Sequence, residues 1–145
     1  MREIKFRAWD NQRKEFLSGG QILIAVKSGR NPKENPQYLD VIKDASMYKA
    51  RFELMQYTGF KDKNGREIYE GDVIEKNYKN MLTGDMVSEI YSVVFDEGIF
   101  IAKYEKSSPF GDTLLKFLVG GVNERISVKI IGNIYENPEL LEATK

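Results

Sequence analysis

The chain has 145 residues, 22 lysines and arginines against 22 aspartates and glutamates, and neither histidine nor cysteine. That is one domain's worth of polypeptide with no net field to draw it toward DNA or an anionic membrane. Without imidazole or thiol there is no Ser-His-Asp triad, no Cys-His pair, no Cys/His zinc site and no disulfide.

Ile4, Phe6 and Ala8 alternate with Lys5, Arg7 and Trp9, the period of a half-buried strand. Asp10-Asn11-Gln12-Arg13-Lys14 reads as a polar turn, Glu15-Phe16-Leu17 as a return strand, and Ser18-Gly19-Gly20 as a break. Gln21-Ile22-Leu23-Ile24-Ala25-Val26 is a near-continuous apolar run of strand length, suited to burial on both faces or to an interface. From Lys27 to Asp44 the composition shifts to Ser, Gly, Asn, Lys and Glu with Pro32 and Pro36, which predicts a linker or mobile loop. Leu39, Ile42, Ala45 and Met47 approximate helical spacing within Tyr38–Tyr48, and a strand is expected over Arg51–Tyr57.

Asn64-Gly65 predicts a type I′ hairpin turn, because both central residues of that turn need positive φ. Glu70-Gly71-Asp72 is a second turn cluster, opening a strand from Val73 to Tyr78. Lys79–Asp85 reads as a polar loop, Met86–Phe95 as a strand, Asp96-Glu97-Gly98 as a hairpin connection and Ile99–Tyr104 as the strand it returns. After the loop Lys106–Asp112 come a strand over Thr113–Val119, the pair Gly120-Gly121 and a strand over Val128–Tyr135. Asn137 as cap and Pro138 at the first helical position predict a short helix over Pro138–Glu142. Short strands at this spacing describe a small barrel rather than a βαβ fold.

Three stretches stand out together: Arg2–Asp10 at the start, Leu54–Ile74 in the centre, and Ile131–Leu141 at the end. In this order they resemble the YopX family of bacteriophage and prophage proteins, and the resemblance spans nearly the whole chain. It implies a small β-rich protein with an SH3-like barrel in its C-terminal part, and it names no reaction. Phe16–Phe52 and Tyr78–Val128 match no pattern of the family. The expected fold is therefore mainly β: an N-terminal β extension over 1–53, an SH3-like barrel over 54–136, and one short C-terminal helix over 137–142.

Candidate chemistry is sparse. Neither G-x-x-x-x-G-K-[ST] nor G-x-G-x-x-G occurs, so phosphate-cradling loops are not expected. Asp62, Glu67, Glu70 and Asp72 cluster, but Asp62-x-Asn64 places its glycine at the fourth position where a calcium loop needs the sixth, and no glutamate stands at the twelfth. Asn64, Gly65 and Gly71 are assigned to structural turns, and no catalytic residue, metal or cofactor is expected. Basic residues interleave with aromatics at Arg7 and Trp9, and again at Lys49 and Arg51. These are candidate contacts for single-stranded nucleic acid, with core packing the simpler account. Ile22–Val26 and Leu114–Val119 are core strand first, although any apolar surplus would pair with a second copy. No window is long and apolar enough to span a bilayer, and Met1–Lys5 lacks the core of a signal peptide, so a cytoplasmic location is expected. The functional expectation is a non-enzymatic accessory protein that binds a protein partner or itself, with nucleic-acid binding as the alternative and a carboxylate-based hydrolase as a distant one.

Overall fold

The computed structural model describes residues 3–17, 52–104, 111–119 and 125–142. The apolar run Ile22–Val26, the loop Lys27–Asp44 and the helical spacing over Tyr38–Tyr48 lie outside the described residues, as do Lys49 and Arg51. The chain divides into two compact units, Lys5–Gln56 and, with Met1–Ile4, Tyr57–Lys145.

In the first unit, Phe6–Asp10 (β1) pairs antiparallel with Glu15–Phe16 (β2) and with the first half of Phe52–Lys61 (β3). The turn from β1 to β2 is closed by the Asp10 side chain, whose carboxylate accepts the amides of Gln12 (2.9 Å) and Arg13 (3.2 Å). The Lys14 amide then donates to the Asp10 carbonyl at 2.8 Å, with Lys14 at φ +59. Strict alternation along β1 does not hold. Ile4 and Phe6 are exposed, whereas Ala8, Trp9 and Asp10 are all buried in succession. The apolar side of the strand is thus set by its neighbours and not by period alone.

In the second unit, Glu67–Tyr69 (β4) pairs with the second half of β3, and Asp72–Lys79 (β5), Met86–Asp96 (β6), Ile99–Tyr104 (β7), Thr113–Leu114 (β8) and Ile126–Asn133 (β9) form an antiparallel sheet. Its order is β8-β7-β6-β5-β9. One face carries the core: Ile74, Tyr91, Val93, Ala102, Val128 and Ile130, joined by Ile68 and by Leu115 and Leu118 of the helix Leu115–Val119 (α1). Glu139–Glu142 (α2) ends the described chain.

Two local expectations are corrected. Thr113–Val119 is not one strand: it pairs with β7 only at Thr113 and Leu114, then turns helical. The buried pair Leu115 and Leu118 sits at i,i+3 spacing, so a helix buries both where a strand would point them to opposite faces. Within the segment Leu115 and Leu118 are buried, Leu114 and Val119 half-buried and Phe117 exposed. The Asn137 side-chain oxygen does not cap an amide of α2, although the Asn137 backbone carbonyl accepts the Leu140 amide at 3.0 Å. The side chain's Oδ1 accepts the Asn133 amide at 3.4 Å and its amide donates to Glu139 at 3.3 Å.

The turn between β3 and β4 also differs from expectation. The Gly65 amide donates to the Asp62 carbonyl at 3.0 Å and the Asp62 amide to the Arg66 carbonyl at 2.8 Å, which leaves a three-residue loop. Gly65 has φ +80 while Asn64 is not among the positive-φ residues, so this is the three-residue hairpin with glycine in the left-handed position rather than a type I′ turn. The paired positive φ of type I′ occurs instead at Glu97 (φ +46) and Gly98 (φ +84), between Asp96 and Ile99. Upstream, the β3–β4 ladder slips between Tyr57 and Lys61, with Gly59 at φ +88. There the Thr58 hydroxyl donates to the Ile68 carbonyl (2.7 Å) and accepts the Phe60 amide (3.2 Å), replacing bonds the bulge removes.

Candidate interaction surface

The turn residues do structural work. Buried Asp62 accepts three amides, those of Asn64 (2.8 Å), Arg66 (2.9 Å) and Ile130 (3.1 Å). Burial pushes its pKa up, but the bonds from Ile130, Arg66 and Asn64 and the Arg66 charge outweigh that and hold it below the ordinary value. Asp72 is buried and accepts the Tyr69 amide at 2.8 Å, and Glu67 accepts the Tyr69 hydroxyl at 3.0 Å. Gly71, at φ +82, donates its amide to Val93 (2.7 Å) and accepts that of Ile134 (2.9 Å) through its carbonyl. Among the described residues no group of three or more carboxylates is placed to hold a metal ion.

Of the interleaved bases and aromatics of β1, Trp9 is buried, Arg7 half-buried and Phe6 exposed. Trp9 is 2% exposed and packs edge-on to Phe16 with centroids 5.0 Å apart, so its face is not open to a stacking base. The Arg7 guanidinium lies 4.8 Å from the Phe16 ring centroid and its Nη2 is 3.6 Å from the Met55 sulfur. The burial of Trp9 is what the indole's size demands in a small unit.

A polar cluster marks the stem of the β5–β6 hairpin. Lys76 lies opposite Glu89 in register, with Nζ 2.9 Å from Oε2. Glu89 also accepts the hydroxyls of Tyr91 (2.8 Å) and Tyr78 (3.2 Å), and Lys76 Nζ stands 4.6 Å from the Tyr78 ring centroid. Desolvation raises the pKa of Glu89, yet the Lys76 and Tyr91 bonds, the Lys76 charge and the Tyr78 bond bring it below the ordinary carboxylate value. Burial, then the Glu89 carboxylate, push the Tyr91 phenol far above its ordinary value. An ionised acceptor with its oxygens taken by a fixed ammonium and two protonated phenols is a clasp, not a proton shuttle.

Beyond this clasp the hairpin ends in a loop bonded to itself. The Asn80 side chain accepts the amides of Leu82 (2.9 Å) and Thr83 (3.3 Å), its backbone amide reaches the Asp85 carbonyl (2.8 Å), and Gly84 donates back to the Asn80 carbonyl (2.8 Å). With its backbone so engaged, the loop turns its large side chains outward. Met81 is 70% exposed, Leu82 97% and Met86 70%. Large apolar side chains exposed together on a hydrogen-bonded hairpin end mark a candidate interaction site. In the sequence Met81-Leu82 stands between the turn residues Asn80 and Gly84 as part of a polar loop, and only the folded hairpin shows both side chains exposed.

These features define a mainly β scaffold whose polar constellations fix turns and hairpin stems and which exposes three large apolar side chains at one hairpin tip. The profile of the family described as YopX protein matches residues 5–142, and the chain belongs to that family. It is 27% identical over 142 residues to the SPbeta prophage-derived uncharacterized protein YopX of Bacillus subtilis (strain 168), covering 97% of each chain. The crystal structure of protein EF1440 from Enterococcus faecalis matches with a TM-score of 0.53 at 23% identity, over 97% of this chain and 99% of that one, a likeness of fold. The three stretches that carry the resemblance hold Asp10, Asp62 and Gly71, together with Asn133, whose Oδ1 accepts the amides of Tyr135 (3.0 Å) and Glu136 (2.9 Å); each closes a turn or bridges strands. No helix among the described residues is long and apolar enough to cross a membrane.

Proposed function

We propose that this chain is a non-enzymatic, phage- or prophage-encoded interaction module that binds protein through the β5–β6 tip in the cytoplasm of a bacterial host, with an SH3-like barrel over 54–136 serving as its scaffold. One observation supports this reading above others: Met81 and Leu82 of a loop whose backbone is already hydrogen-bonded, and Met86 at the start of β6, are all exposed at the same hairpin end. Burying each such side chain against a partner is worth about 1.5–3 kcal/mol, and a preformed loop loses little entropy on docking. The nucleic-acid alternative has less behind it, since Trp9 is enclosed. A hydrolase has less still, since Asp62, Glu67 and Asp72 already accept protein donors.

Affinity capture from producing cells, wild type against Leu82→Glu, tests it with the retained material analysed for both protein and nucleic acid. The expected outcome is protein that is retained by the wild type and lost with the variant, both chains having the same thermal midpoint. Retention of nuclease-sensitive material that the variant leaves unchanged would overturn it.

A further inference from the structure

We infer that copies of this chain associate head to tail, the apolar, basic β5–β6 tip of one copy seated on the apolar, acidic β6–β7 tip of the next. The inference rests on the interaction reading above and names its partner.

The two tips are the two ends of one strand. Met86 opens β6 and Asp96 closes it, so the β5–β6 loop and the β6–β7 turn point in opposite directions, roughly 30 Å apart for a strand of this length at its usual rise. Each end carries apolar surface in the open: Met81, Leu82 and Met86 at the first, Phe95 (44% exposed) and Ile99 (47%) at the second. Each is rigid. The first is held by the Asn80 bonds, the second by the paired positive-φ residues Glu97 and Gly98 and by the Phe95–Phe100 ring contact at 4.9 Å.

Charge selects the pairing. The first tip is flanked by exposed Lys79 and Arg125 against Asp85, and Arg125 reaches the Met81 sulfur at 3.6 Å. At the second, the turn itself is Asp96-Glu97, both exposed. Joining two copies by the second tip stacks acid on acid, and joining them by the first sets a single acid, Asp85, against two bases on each side, whereas joining unlike tips brings Lys79 and Arg125 to Asp96 and Glu97 beside the exposed apolar side chains. A contact between different patches is heterologous, so it propagates into rings or open chains and cannot close as a simple twofold dimer.

Sedimentation velocity of the full chain across a wide concentration range tests this, with Leu82→Glu blocking the first tip and Ile99→Glu the second. Wild type should form dimers and larger species that dissociate as salt is raised, and each variant alone should stay monomeric. An equimolar mixture of the two should give a dimer and nothing larger, because each variant keeps the tip the other lacks. Thermal unfolding verifies that Ile99→Glu folds; should it not, Glu97→Lys takes its place, leaving both apolar groups intact. Wild type monomeric throughout, or a mixture that stays monomeric while wild type assembles, would overturn the head-to-tail arrangement. A monomeric wild type whose captured proteins still depend on Leu82 would remove this inference and leave the interaction reading standing.

Discussion

The Asp62 carboxylate accepts the Ile130 amide at 3.1 Å, joining the β3–β4 turn to β9 across 68 positions of sequence. The same side chain closes its own loop through Asn64 and Arg66, and the Lys63 amide adds a bond to the Val128 carbonyl at 2.9 Å. Local turn and distant strand therefore form or fail together.

Asp62→Ala should accordingly cost about 1.5–3 kcal/mol, the range for hydrogen bonds to a charged acceptor, read as a lower urea midpoint. The pH dependence has a definite sign. The folded pKa lies below the ordinary 3.8, so the unfolded chain binds the proton first as pH falls. The stabilisation is full above that value and is lost as pH drops through the folded pKa. Asp62→Asn should flatten the acid limb of stability against pH, and an unchanged limb would assign the effect elsewhere.

Gly65 and Asn64 should respond differently. Gly65→Val places a β-branched residue at φ +80 and should cost about 1 kcal/mol or more, whereas Asn64→Ala should cost little, because Asn64 contributes its backbone amide and does not need positive φ. Equal losses in urea unfolding would restore the type I′ turn.

Glu97 occupies the left-handed region at φ +46 without being glycine. Glu97→Asn should raise stability by about 0.5–1 kcal/mol, since asparagine tolerates that conformation better, seen as a higher thermal midpoint.

The fold was legible where turn chemistry and alternation agreed, as at Ile99–Tyr104, which lies where the sequence places it. It was less legible where two mechanisms write the same letters. Asn-Gly serves both the two-residue turn and the three-residue loop, and only the pairing of Asp62 with Arg66 chooses between them. The apolar run after Thr113 suits either a strand or a buried helix, and the positions of Leu115 and Leu118 against the sheet decide it. Trp9 between Ala8 and Asp10 carries no mark of which side is inside. The tip was hidden for a related reason: exposure is a tertiary property, and Met81-Leu82 in a polar loop gains meaning only when the hairpin is seen to extend past the core.

Lys76→Met should be among the costlier single changes near the surface. It leaves the Glu89 carboxylate without its ammonium, and about 2–3 kcal/mol is expected, reduced from a fully buried pair by the remaining tyrosine bonds and partial solvent contact. The wild-type Glu89 pKa is depressed, so its contribution is present above the ordinary 4.5 and fades in acid. The gap between variant and wild type should narrow as pH falls, and a gap that widens would contradict the clasp.

The most direct test of the interaction reading is photo-cross-linking in producing cells. A light-activated amino acid is placed at position 82 on the β5–β6 tip or, as a control, at exposed position 63 in the β3–β4 turn. Position 82 should give discrete protein adducts, with the control giving none. No adduct at 82, or equal adducts at both positions, would contradict an interaction site at the tip.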